Sequence, residues 1–294
     1  NYTSGSGSAN LIFKYTVAAG DTSSDLDYAA IDSLALNSGT IKDAAGNNAN
    51  LTLPTPGNAN AGSLANAKAF DIDGTQATVT GVSSDTSDTG TKKINDTIDV
   101  KVTFSEAVTV DTTGGTPSLT LATGGPAVNL ASGSGTNNLI FRYTVGAGDT
   151  SADLDYAATN SLALNGGTIK SANGNNADLT LAEPGNANSL AHNKAFVIDG
   201  IVPTVTGVSS DDDHGTTKKI GDTVNVKVTF SETVIVDTTN GTPTLTLATG
   251  QNSGAGTAVD YTSGTGTSHL IFKYTVAEND ASADLDYVAT TSLS

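Results

Sequence analysis

The sequence predicts an all-β protein built from tandem sandwich domains that are arranged end to end. Three observations support this prediction. Apolar residues alternate with polar residues over short runs, which is the pattern of half-buried strands. Gly, Asn, Asp and Pro are concentrated between these runs, where they favour turns. Long stretches of sequence also recur at a nearly constant spacing, so the same fold is expected more than once.

The internal repeat is visible in two stretches of the chain. The seven residues VKVTFSE stand at 100–106 and again, unchanged, at 226–232. The stretch LIF(K/R)YTV stands at 11–17, 139–145 and 270–276. These copies lie 126 to 131 residues apart, and the small differences in spacing come from insertions at positions that we expect to be loops. The spacing is therefore the length of one repeat.

A repeat of this length is long enough to enclose one hydrophobic core. We expect the C-terminal part of one repeat at 1–74, a complete repeat at 75–200 and the N-terminal part of a third repeat at 201–294. The chain starts within a repeat and without Met, so we expect it to be a segment of a longer protein. Short joints, near residues 74–77 and 200–203, connect one repeat to the next.

The complete repeat is expected to contain about seven strands. The expected strands are Thr78–Ser83, Thr97–Phe104, Ser118–Leu121, Ala127–Leu130, Leu139–Val145, a broken strand within Asp153–Leu164, and either Ala177–Leu181 or Ala195–Ile198. We find no helical three-four spacing of useful length. Short antiparallel strands separated by turns are typical of an immunoglobulin-like sandwich, although the Cys and Trp residues that mark antibody domains are missing.

Several stretches also resemble a known family, namely the bacterial immunoglobulin-like (BIg-type) repeats of very large secreted adhesins and other repetitive surface proteins. The stretches that carry the resemblance are 102–125, 132–145, 162–181 and 196–211. The resemblance covers essentially the whole chain and implies a sandwich fold, an extracellular or cell-surface location and a role as a stalk. Gln76 and Ala77 depart from the pattern of the second joint, which has Val202 and Pro203. Because proline stiffens a linker, we expect the first joint to be less stiff.

Composition limits the partners and the chemistry. Thirty acidic against 13 basic residues give a net charge of −17, which repels nucleic acid and anionic lipid and favours divalent cations. No stretch is apolar for long enough to span a membrane. There is no Cys, and His192, His214 and His269 lie in separate turns without the spacing of a metal or catalytic motif. We therefore expect no enzymatic activity.

Carboxylates recur at the same places in the copies, and we expect some of them to bind calcium. The candidate ligands are Asp73, Asp85, Glu106, Asp149, Asp153, Asp155, Asp199, Asp211 and Glu232. When the strands are threaded alternately up and down, the far pole of one repeat meets the joint residue Asp199 and Glu232 of the next. Calcium binds several such oxygens, and at that place it would stiffen the joint. The alternative is that these residues are ordinary turn formers.

The expected function is a structural spacer within a large extracellular protein, with neighbouring repeats as its partners. An alternative follows from the two incomplete repeats. Residues 201–294 of one chain, followed by Leu36–Gly74 of another, would complete one domain, so identical subunits could polymerise into a filament by strand complementation. A glycan-binding domain would need clustered exposed aromatic residues, and only 5% of the residues are aromatic.

Overall fold

A computed structural model describes residues 1–87, 89–212, 215–251 and 254–294. This part of the chain is nearly all β, with 38% strand and 3% helix, so the predicted all-β class is confirmed. It forms two compact units, Asn1–Gly200 and Ile201–Ser294. The division of the chain into three parts, and the immunoglobulin-like form of each, stay predictions.

The first 74 residues form short paired elements. Strand β1 (Tyr2–Ser4) pairs with β2 (Ile12–Phe13), and β3 (Thr22–Ser23) pairs with β4 (Ile72–Asp73). Helix α1 (Leu64–Ala67) has only four residues. Among the described residues, none before Gly74 belongs to a hydrophobic core cluster. This part is therefore held mainly by hydrogen bonds.

The complete repeat contains longer strands that form two sheets. Its elements are β5 (Val79–Ser84), β6 (Gly90–Lys93), β7 (Thr97–Asp111), β8 (Ser118–Leu119), β9 (Val128–Ser132), β10 (Thr136–Thr144), β11 (Thr150–Ser151), β12 (Leu162–Ala163), β13 (Thr168–Ser171), α2 (Leu190–Asn193) and β14 (Phe196–Asp199). The larger sheet has the order β12-β8-β9-β10-β7-β13, and β5 also pairs with β7. The smaller sheet has the order β11-β14-β6, in which β14 and β6 are parallel.

Strand β7 changes its partners along its length, and the larger sheet curls. Its first half pairs with β5 and β10, with Val100 opposite Phe141. The register with β10 shifts between Thr103 and Val108. Beyond this irregularity the strand pairs with β13, where Val108 lies opposite Ser171. One long strand thus connects two groups of neighbours around the core.

The core of the complete repeat follows from the alternation in these strands. Ile98, Val100, Val102 and Phe104 of β7 are buried in one cluster with residues of β10. The C-terminal segment completes the cluster with Leu190 of α2 and Phe196 of β14, which are both fully buried. Burial of a side chain of this size contributes about 1.5–3 kcal/mol. The repeat therefore needs its last 25 or so residues to close its core.

Several details differ from the prediction. Strands β6, β11 and β13 and both helices lie outside the predicted elements, and β7 extends beyond Phe104 to Asp111. Ala177–Leu181 is not a strand, and Asp178 makes only a single bridge to Thr78, while Phe196–Asp199 is β14. Strand β6 is rich in Gly and Lys, which have low strand propensity, and it forms because its backbone pairs with β14.

The second unit repeats the central pairing of the first. Its strands are β15 (Val205–Ser210), β16 (Thr223–Val234), β17 (Thr244–Leu247), β18 (Thr257–Ser263) and β19 (Thr267–Thr275), in the order β15-β16-β19-β18-β17. Val226 lies opposite Phe272, as Val100 lies opposite Phe141 in the first unit. Phe272 is fully buried in a separate, smaller core cluster. The recurring sequence thus gives the same strand pair twice.

Candidate functional site

The first joint, residues 74–77, is bound by a loop of the complete repeat. This loop, residues 171–176, is called the joint loop below. The side-chain amide of Asn175 donates to two backbone carbonyls, those of Asp73 (2.9 Å) and Thr75 (2.8 Å). The amide of Gln76 donates in return to the carbonyl of Asn176 over 3.0 Å. The connection between the partial and the complete repeat is therefore hydrogen-bonded on both sides.

Asp73 directly precedes this joint, and both oxygens of its carboxylate accept hydrogen bonds from the protein. One oxygen, Oδ1, accepts from the backbone N–H (2.9 Å) and the hydroxyl (2.5 Å) of Thr75, and Oδ2 accepts from the amide of Asn173. These bonds, first those from Thr75, hold the pKa of Asp73 below its usual value. An open polar groove of about 810 Å³ lies beside it, lined by Thr22, Ser23, Ser24, Asp71, Ile72, Asp73, Thr75 and Asn173.

Asp149 holds a turn at one end of the complete repeat. Its Oδ2 accepts from the hydroxyl of Tyr143 (2.8 Å) and from the backbone N–H of Gly146 (2.9 Å). A Cβ at Gly125 would lie 2.7 Å from its Oδ1, so only glycine fits there. The backbone carbonyl of Asp149 accepts from the N–H of Gly200 over 2.8 Å. Burial raises the pKa of Tyr143, and the hydrogen bond to Asp149 and the charge of Asp149 raise it further.

The same arrangement occurs in the other two copies. Tyr15 donates to Asp21, and Tyr274 donates to Asp280, in each case over 2.5 Å. These hydrogen bonds lower the pKa of Asp21 and of Asp280 below the usual value. The recurrence of this carboxylate is thus explained by a turn that each copy forms.

Asp155 anchors the C-terminal segment of the complete repeat. Its Oδ1 accepts from the backbone N–H of Tyr156 (2.9 Å) and of Leu190 (3.2 Å), and its Oδ2 accepts from that of Gly185 (2.8 Å). Leu190 is the first residue of α2, and its N–H has no acceptor within the helix. The carboxylate of Asp155 supplies that acceptor. Asp27 makes the equivalent bonds in the first copy, to Gly57 and others.

Asp85 and Asp211 form equivalent ion pairs on neighbouring strands. Asp85 lies 2.5 Å from the ammonium of Lys101, and Asp211 lies 2.7 Å from that of Lys227. The hydrogen bond from Lys227 lowers the pKa of Asp211. Both carboxylates are largely exposed, and exposed pairs contribute little to stability.

The remaining candidate ligands have different surroundings. Asp153 is exposed. Asp199 is also exposed, at the end of β14, and pairing of β14 with β11 places it opposite Thr150, next to the Asp149 turn. Glu106 and Glu232 are half-buried, and the Oε1 atom of Glu232 is buried without a hydrogen-bond partner among the described residues.

The candidate ligands are not grouped as a metal site. Within the described ranges, no group of three or more His, Asp or Glu side chains is close enough together to hold a metal ion. Calcium binding therefore stays a prediction. Of the histidines, His192 is exposed on α2, His269 lies with its Nδ1 3.3 Å from the hydroxyl of Thr229, and His214 lies outside the described residues.

Sequence reasoning missed the residues that bind the first joint. Asn173 and Asn175 are not candidates, because the Asn and Gly residues of this stretch are interpreted as turn formers. Gln76 is noted only as a departure from the pattern of the second joint. The signal that was available is the recurrence of Gly-Asn-Asn at 46–48 and 174–176. It would have indicated a loop that both copies retain, but not its partner about 100 residues away in the chain.

Comparisons with family models, with curated proteins and with solved structures give no significant match to this chain. The two helices in the described part of the chain have four residues each, too few to cross a membrane. The structure and the sequence together thus describe an all-β protein with internal sequence repeats.

Proposed function

We propose that the chain is a structural spacer without enzymatic activity. In this proposal, immunoglobulin-like sandwiches stacked end to end form part of the stalk of a large, adhesin-like repetitive protein outside the bacterial cell. The observation that carries the proposal is the bonded first joint. The side chain of Asn175 holds the backbone on both sides of Gly74, through Asp73 and Thr75. A stalk needs connections of this kind, because a free linker would let successive repeats bend.

The contacts inside the complete repeat also support the proposal. The carboxylates of Asp149 and Asp155 accept hydrogen bonds from donors of the same repeat. Those accepted by Asp155 hold the segment that closes the core. The complete repeat can thus act as a separate module with its own core. Strands of about seven residues extend for roughly 23 Å, so one sandwich with its loops would add about 40 Å to a stalk.

The net charge of the chain also fits a stalk, because neighbouring stalks must not aggregate. A net charge of −17 makes separate stalks repel one another, and high net charge keeps proteins soluble. The resemblance to bacterial surface repeats supports the extracellular location. Calcium enters the proposal as an ion that reduces repulsion between carboxylates at the joints and makes them stiffer.

Small-angle scattering tests the spacer directly. Chains with two, three and four tandem copies of residues 75–200 would be measured in calcium and in chelator. The maximum dimension is expected to grow by a constant amount, about 40 Å for each added copy. A maximum dimension that levels off after the second copy would mean that the copies fold back on one another, and the spacer would be rejected.

A second candidate function is a filament subunit that completes split domains between chains. The two incomplete repeats expose residues that are buried in the complete one. Leu64 and Phe70 are 37% and 47% exposed, whereas their counterparts Leu190 and Phe196 are fully buried. Asp286 corresponds to Asp155, but among the described residues its carboxylate accepts only from the N–H of Tyr287.

Sedimentation of the 294-residue protein over a range of concentrations distinguishes the two candidates. Complementation predicts dimers and longer polymers that increase with concentration. Asp286→Ala should abolish them, because in a completed domain Asp286 would accept the N–H groups that Asp27 now accepts. The matched control is Asp284→Ala, an exposed carboxylate two residues earlier. A protein that stays monomeric at every concentration would exclude the filament and leave the spacer intact.

A further inference from the structure

The joint loop contains a dipeptide with a known chemical weakness. Asn173 is exposed and is followed by Gly174, whose φ is +86°. Asparagine is among the residues that are chemically labile on heating. It is most labile before glycine, because no side chain shields the next backbone nitrogen. The chain has two other Asn-Gly pairs, at 165–166 and 240–241.

The reaction at this dipeptide needs only water and base. The backbone nitrogen of Gly174 gives its proton to base and bonds to Cγ of Asn173. The Cγ–Nδ2 bond breaks, and the NH₂ group takes a proton from the protonated base and leaves as ammonia. Water then opens the five-membered succinimide at one of its two carbonyls. The product is aspartate or isoaspartate, and no oxidant or reductant takes part.

Deamidation of Asn173 would change a hydrogen bond at the first joint. Its amide donates to Oδ2 of Asp73. A carboxylate only accepts hydrogen bonds, so this contact requires the NH₂ group of the amide. Deamidation replaces that donor by a second carboxylate, and two like charges then face each other across the joint. Isoaspartate also adds a methylene group to the backbone of the loop.

We propose that Asn173 is a spontaneous deamidation site whose conversion loosens the first joint. The switch is slow, because the N–H of Gly174 donates to the carbonyl of Ser171 over 3.0 Å and the turn must open first. The first copy has Ala45 at this position and cannot react. The importance of a loosened joint rests on the proposed function, but the conversion and the loosening are both measured on the chain itself.

Asn165 provides an internal comparison. Its amide donates to the carbonyl of Thr116 (2.9 Å) and to the hydroxyl of Ser118 (2.8 Å), and its own φ is +52°. Two bonds hold this side chain against the neighbouring loop, and Ser118 is buried. We therefore expect Asn165 to convert more slowly than Asn173.

The experiment ages the 294-residue protein in mildly alkaline buffer and follows each Asn-Gly pair by peptide mapping. Hydrogen exchange of the amides at residues 73–76 is measured on the same samples. Asn173 is expected to convert before Asn165, and the joint amides to exchange about fivefold faster after conversion, the effect of losing one hydrogen bond of about 1 kcal/mol. Asn173→Asp should reproduce this change without ageing.

Two control variants separate chemistry from structure. Asn173→Gln keeps an amide donor but forms the ring poorly, so its joint should stay protected on ageing. Asn173→Ala matches the natural Ala45 of the first copy, so the loop is expected to fold, and it should loosen the joint less than Asn173→Asp. Absence of conversion at Asn173 while Asn165 reacts would overturn the site. Conversion without faster exchange at residues 73–76 would overturn the loosening of the joint.

Discussion

The hydroxyl of Tyr143 donates to Oδ2 of Asp149 over 2.8 Å, and both residues are buried. The two residues stand six positions apart, and the same pair recurs in the two other copies. The carbonyl of Asp149 also accepts from the N–H of Gly200, the last residue of the complete repeat. This single pair therefore connects the turn after β10 to the start of the next joint.

Tyr143→Phe removes one donor from a buried carboxylate. We predict that it lowers the free energy of unfolding of the Asn1–Gly200 unit by about 1–2 kcal/mol, as measured by urea denaturation. The matched control is Tyr15→Phe in the first copy, where the tyrosine is 52% exposed and water can replace the lost bond. Equal losses in the two variants would contradict a role for burial.

Asp155→Ala should be more destabilising than the equivalent change in the third copy. It leaves the N–H groups of Gly185 and Leu190 without their acceptor, which costs about 2–4 kcal/mol for two groups that become unpaired. In the part of the chain that the structure describes, Asp286→Ala removes one hydrogen bond, from the N–H of Tyr287, and should cost less. Thermal unfolding followed by circular dichroism measures both. A larger effect of Asp286→Ala would contradict the anchoring role of Asp155.

The first joint should loosen in acid. The folded pKa of Asp73 is lowered by its bonds from Thr75 and Asn173. The contribution of this group to stability is therefore present above the usual aspartate pKa of about 3.9 and is lost as the pH falls through the lower folded value. Hydrogen exchange of the joint amides as a function of pH measures the loss.

Asp73→Asn serves as the control for this pH dependence, because an amide does not titrate. The difference in joint protection between the wild-type protein and this variant should be greatest near neutral pH and should disappear below the folded pKa. A difference that is the same at every pH would mean that the charge of Asp73 does not hold the joint.

Calcium binding predicts a melting temperature that rises when calcium is added at about 10⁻³ M and falls again with chelator. The sequence names Asp199 and Glu232 as ligands, so Asp199→Asn combined with Glu232→Gln should abolish this response. Asp99→Asn is the control, since that carboxylate is paired with Arg142 and is not a candidate ligand. Identical melting in calcium and in chelator would remove calcium from the proposed function.

The parts of the fold that could be predicted are those with strong local patterns. Alternation in β7 and β10 predicts both strands and their buried faces, because a period of two fixes which side faces the core. Strand β6 and helix α2 could not be predicted in this way. The backbone of β6 is paired by β14, about 100 residues later, and α2 has only four residues and depends on Asp155.

For the candidate site, the sequence identifies positions but not partners. The repeat shows that each copy has a counterpart of Asp149 and of Asp155. In the structure, both carboxylates accept hydrogen bonds from their own repeat. The partners of Asp149 lie within six positions of it. Those of Asp155, Gly185 and Leu190, lie 30 and 35 residues away in the chain, and no local pattern shows such contacts. The role of Asn175 was missed for the same reason, because it binds a joint 102 positions earlier.

Stretching of single molecules tests the spacer most directly. Tandem copies of residues 75–200 would be held at both ends and pulled. Independent load-bearing modules predict one unfolding event for each copy, with equal steps of roughly 400 Å, the extended length of one repeat minus its folded length. Extension without force peaks, or a single event for the whole array, would contradict the account.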